Sequence, residues 1–183
     1  MTSITSLHRL VAAIGATTLI LSGCSTASNT ATTIAPATPA VVEVTALDYA
    51  YSGLPTEVKA GTTFTLVNTS DTELHEFVAV RLANDDTRTA ADIVGLPPEE
   101  LGALFANVST VLLAAPASNE VIPAVGDGTL TEPGRYVIVC AIPTGADPQE
   151  YLTAAATSEG PPSVDGGPPH FVQGMYGEVT VTE

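Results

Sequence analysis

Basic residues are scarce. The 183-residue chain has five Lys and Arg against 20 Asp and Glu, for a formal net charge of −15. A surface that acidic repels phosphate backbones and anionic headgroups, which argues against nucleic acid as a partner. Without the N-terminal segment that holds Arg9 the charge is −16, and all 20 acids lie beyond residue 42. The acidity keeps the protein soluble; the sharper reading is attraction to a partner protein with a basic patch. Long hydrophobic runs are also lacking, since no stretch reaches the roughly 20 apolar residues of a membrane-spanning helix. The shortage of bases does not mean disorder. With 45% apolar residues the chain can bury the core of one ordinary domain. Soft donors are few: two Cys, two Met and three His.

The N-terminus reads as an address. Arg9 precedes a 12-residue apolar run, Leu10 to Leu21 (LVAAIGATTLIL), the length of a signal-peptide core. It ends in Leu21-Ser22-Gly23-Cys24, which resembles the lipobox of bacterial lipoproteins. The resemblance implies a lipoprotein signal peptide over 1–23, lipidation of Cys24 with acyl chains such as palmitate, and an extracytoplasmic protein anchored to the cell membrane without spanning it. The alternative is ordinary secretion with a free Cys24. Residues 24–40 are uncharged and rich in Ser, Thr, Ala and Pro, the composition of a tether, and the folded domain is expected over 41–183.

The body reads as strands. Val42, Val44 and Ala46 alternate with Glu43 and Thr45, Thr62 to Asn68 is β-branched and aromatic, and His75 to Leu82 follows a polar turn. Arg135 to Cys140 follows Glu132-Pro133-Gly134, and Tyr176 to Thr182 closes the chain. Short strands between turn residues predict an all-β sandwich. Leu101, Leu104, Phe105 and Val108 fall at i, i+3, i+4 and i+7 after Pro97-Pro98-Glu99-Glu100, which predicts an amphipathic helix over 97–109 within a long connection from 83 to 131. Ala141 to Pro169 is a second long loop, with a brief helix expected at Gln149 to Thr157.

Beyond residues 1–24, the soft donors are His75, His170, Met175 and Cys140. Each alone has an ordinary explanation as a buried structural residue. Together they are more telling. An unpaired cysteine in an exported protein is uncommon, and a metal gives Cys140 a role. His75 opens a strand, Cys140 closes one, and Met175 stands directly before the last, so antiparallel pairing brings the latter two to one end. Two imidazoles and a thiolate with a weak axial thioether favour copper. Zinc competes for the Cys and two His, although Met175 suits it poorly. With no third His, an open catalytic metal site has little support, and no enzyme activity is expected.

The sequence resembles the cupredoxins, the small blue copper proteins. The resemblance runs through Leu54-Pro55, Gly61 to Asn68, Leu74-His75-Glu76-Phe77, Pro133 to Cys140, and His170 to Gly177, where His, four residues, Met and Gly precede a terminal strand. It implies a Greek-key β-sandwich and one type 1 copper held by His75, Cys140 and His170, with Met175 axial. It also implies single-electron transfer between redox partners. Two features depart from the family: 29 residues separate Cys140 from His170, and Glu76 stands where many members carry asparagine to brace the ligand loop. The long loop is expected to cover the edge of His170 or to serve as a mobile docking surface. Two other functions remain open: a lipoprotein that captures or delivers copper without redox turnover, and a metal-free interaction module.

Overall fold

The structure, a computed structural model, describes residues 39–158 and 160–183. The expected signal peptide, the expected lipidation at Cys24 and nearly all of the expected tether lie outside the described residues. No described helix is long and apolar enough to cross a membrane.

Among the described residues, ten strands form two mixed sheets. One comprises β1 (Val41–Leu47), β2 (Ala50–Ser52), β4 (Thr62–Asn68) and β8 (Thr129–Leu130), in the order β2-β1-β4-β8. The other has the order β3-β10-β9-β5-β6-β7, from β3 (Glu57–Lys59), β10 (Tyr176–Thr182), β9 (Gly134–Val139), β5 (His75–Arg81), β6 (Val108–Ala114) and β7 (Val121–Val125). The chain changes sheet on either side of β3, between β4 and β5, and again on either side of β8, so β9 settles between β5 and β10, as in a Greek-key sandwich.

Alternation places the core. In β4, Thr62, Phe64, Leu66 and Asn68 point inward while Thr63, Thr65 and Val67 are half-buried. Phe64 stacks on Phe77 of β5 with ring centroids 5.1 Å apart, and Leu66, Leu112, Tyr136, Ile138 and Val179 complete the layer between the sheets. β5 is buried on both faces, which explains its unbroken run of buried residues from His75 to Val80. Its outer face is covered by the connection after it. There α1 (Ala90–Val94) and α2 (Pro98–Leu104) bring Ile93, Leu101 and Leu104 against Val78, Val80, Val137 and Val139.

The helix expected over 97–109 is shorter than its apolar spacing suggests. It ends at Leu104, a 3-10 turn occupies Phe105–Asn107, and Val108 is already extended with ψ 124°. Val108 therefore belongs to β6. The connection from 83 to 131 likewise contains β6, β7 and β8 as well as helices. In the second long loop, α3 (Pro148–Ala155) starts at Asp147, whose side chain accepts from the Glu150 N–H, and buries Tyr151. In this part of the loop Ala146 and Tyr151 pack into the main core.

Candidate metal centre

Three elements meet at one end of the sandwich. Antiparallel pairing of β9 with β10 sets Val139 opposite Tyr176, so Cys140 and Met175 leave the pair together, and the Cys140 N–H donates to the Met175 carbonyl at 3.1 Å. A 3-10 turn over His170–Gln173 then folds back on the same corner. The Phe171 N–H donates to the Cys140 carbonyl at 2.9 Å, and the Met175 N–H to the His170 carbonyl at 3.1 Å. Gly174 makes this tight return possible with φ 110°, in the left-handed region that favours glycine. β5 pairs with β9 through Val78 and Val139 and delivers His75 to the same end.

Ligand atoms of His75, Cys140 and His170 converge. The two Nδ1 atoms lie 3.2 Å apart, and Cys140 Sγ lies 3.3 Å from His170 Nδ1 and 4.0 Å from His75 Nδ1. The point equidistant from these three atoms is about 2.1 Å from each, within the 2.0 to 2.3 Å at which imidazole nitrogen and thiolate sulfur bind a first-row metal. All three residues, and Met175, are 0% exposed. The insertion between Cys140 and His170 therefore leaves the cluster intact, with the ends of the loop held by β9 and β10.

Electrostatics suit ligation. Burial, reinforced by the neighbouring His170, lowers the His75 pKa to about 4. Burial also lowers that of His170, against an opposing pull from Glu73. Both imidazoles are thus neutral at pH 7, the form that binds a metal. Burial and the Glu76 charge push the Cys140 thiol well up, so its thiolate calls for a cation.

Glu76 takes over the bracing. Its N–H donates to Cys140 Sγ at 3.4 Å, Oε1 accepts from the Ala141 N–H at 2.9 Å, and Oε2 accepts from the Tyr151 hydroxyl at 3.2 Å. Its carbonyl accepts from the Tyr51 hydroxyl. Burial raises the Glu76 pKa to about 7 against the hydrogen bonds its carboxylate accepts from the Ala141 N–H and the Tyr151 hydroxyl. The sequence marks Glu76 as a departure but carries no sign of Tyr151, which sits 75 residues away.

Tyr49 and Glu73 carry no site motif in the sequence. The Tyr49 ring meets His170 edge-on at 5.0 Å, and Glu73 Oε2 stands 3.3 Å from His170 Nε2. The long loop contributes indirectly: its Gly145 N–H donates to Glu73 Oε2 at 3.1 Å. The only advance signal was position, since Glu73 lies two residues before a candidate ligand.

No family model and no curated protein matches the sequence. Among solved structures, the chain is similar to dithionite-reduced auracyanin from the photosynthetic bacterium Roseiflexus castenholzii, at 24% identity and a TM-score of 0.42 over 78% of this chain and 97% of that one. It is also similar to auracyanin A, a "blue" copper protein from Chloroflexus aurantiacus, at 21% identity and a TM-score of 0.40 over 79% of this chain and 100% of that one. For auracyanin B the values are 18% identity and 0.40, over 80% and 91% of the two chains. This chain's own Greek-key β-sandwich brings His75, Cys140 and His170 into a cluster whose donor types and spacing fit one copper ion.

Proposed function

We propose that this protein is an extracytoplasmic single-electron carrier, tethered to the cell membrane through a lipidated Cys24, that holds one copper ion. His75, Cys140 and His170 would hold the ion, with Met175 as a further, weaker sulfur donor. The observation that carries this reading is the convergence of the two Nδ1 atoms and Sγ inside a buried, hydrogen-bonded corner. Bound copper supplies a one-electron couple.

The chain's own residues keep the donors in place. Backbone hydrogen bonds from Cys140, Phe171 and Met175 fix the ligand turn, and the Glu76 carboxylate fixes the segment after Cys140. Donors that need not move between oxidation states favour fast transfer. Burial of the cluster excludes water and speaks against ready release of the ion, which weighs against a delivery role. The redox partner is a protein, with a basic patch complementary to this acidic surface.

Voltammetry of the copper-loaded protein, paired with incubation against a Cu(I) chelator, tests this function. The reading requires a reversible one-electron wave and slow copper loss. Rapid, complete transfer to the chelator without a reversible wave would identify a copper-handling protein instead.

A further inference from the structure

His75 and His170 are not equivalent. The outer nitrogen of His75, Nε2, is buried with no hydrogen-bond partner. That of His170 is equally buried and faces a carboxylate, Glu73 Oε2, at 3.3 Å, close but not aligned as a hydrogen bond. Glu73 is itself built in. Oε1 accepts from the Tyr49 hydroxyl at 3.3 Å and Oε2 from the Gly145 N–H at 3.1 Å. Its backbone is pinned as well: the Glu73 N–H donates to Ser70 Oγ at 3.1 Å, and the buried Asn68 side chain donates to the Glu73 carbonyl at 2.8 Å. Two separate segments, around Tyr49 and Gly145, thus hold one carboxylate against one imidazole, while Asn68 and Ser70 pin its backbone. A carboxylate at the outer nitrogen of a ligand histidine fixes the tautomer and raises ligand basicity.

We infer that Glu73 is a positioning residue, which keeps His170 as its Nε2–H tautomer with Nδ1 turned to the cluster, and whose charge favours the oxidised state of the bound copper. The inference rests on the copper reading for its second half only.

The test uses Glu73→Gln and Glu73→Ala. A glutamine keeps an acceptor toward His170 Nε2 and Gly145 and removes the charge; an alanine removes both. Long-range proton–nitrogen NMR of the metal-free, 15N-labelled protein reads the tautomer directly. The expected result is Nε2–H at His170 in the wild type and in Glu73→Gln, and a tautomer mixture in Glu73→Ala. In the copper-loaded protein, Glu73→Gln is expected to weaken Cu(II) relative to Cu(I) binding about tenfold, a rise of about 59 mV in potential. A purely structural role would lower the unfolding temperature and leave tautomer and potential unchanged. Nδ1–H at His170 in the metal-free wild type, an unchanged tautomer in Glu73→Ala, or an unchanged potential in Glu73→Gln would overturn the inference. If the wild type binds no copper, the electron-carrier reading fails and the metal-free spectra alone decide the role of Glu73.

Discussion

The backbone N–H of Glu76 points at the sulfur of Cys140 from 3.4 Å, and the carboxylate of the same Glu76 holds the next residue, Ala141, by its N–H. One residue therefore fixes both the sulfur and the backbone that carries it. Glu76→Ala is expected to destabilise the fold by about 2–4 kcal/mol, because it leaves the Ala141 N–H and the Tyr151 hydroxyl without their buried partner and opens a cavity. Glu76→Gln should retain most of that stability. Chemical denaturation of the three proteins at one pH checks the order.

The raised pKa of Glu76 sets a pH dependence for the metal-free protein. Its folded value of about 7 lies above the ordinary 4.5, so between these the folded state holds a proton that the unfolded state has released. Stability should then fall as pH rises from 4.5 to 7, with a limiting slope of about 1.4 kcal/mol per pH unit. Denaturant midpoints across that range should show the decline, and Glu76→Gln should flatten it.

Tyr151 couples the long loop to the site through one hydrogen bond. Tyr151→Phe removes the hydroxyl that donates to Glu76 Oε2 and keeps the buried ring, for an expected loss of about 1–2 kcal/mol. Calorimetry of the metal-free variant measures it. A loop that merely drifts over the surface would show no loss.

Asp86 offers a check away from the site. Hydrogen bonds from Arg88 hold its carboxyl at about pKa 2, below the ordinary 3.8. The stability this lends is present above about pH 4 and is lost as pH falls toward 2. Asp86→Asn should therefore narrow the gap from wild type as the acid limb is approached, read by unfolding temperature from pH 5 to 2.

Much of this was legible in sequence where a local pattern and a tertiary demand agree. Alternation marks β1 and β4, and Pro133-Gly134 announces β9. The order of His75, Cys140, His170 and Met175 around strand ends anticipates the corner where they gather. β6 escaped because Val108 completes a helical spacing begun at Leu101, while its true place is decided by pairing with β5, which no local pattern records. β7 escaped because Pro123 interrupts it, which is tolerable at the sheet edge it occupies. Tyr49, Glu73 and Tyr151 were invisible as site residues because their roles arise only from contacts across 24 to 121 residues of chain, as in the Tyr49–Glu73 pair at one extreme and Tyr49–His170 at the other.

Addition of Cu(II) to the purified protein, followed by visible absorption and electron paramagnetic resonance with Cys140→Ser alongside, tests the central claim most directly. The account predicts one copper per chain and an intense thiolate-to-copper band that is absent from Cys140→Ser. A protein that takes up no copper, or whose copper spectrum is the same in Cys140→Ser, would contradict it.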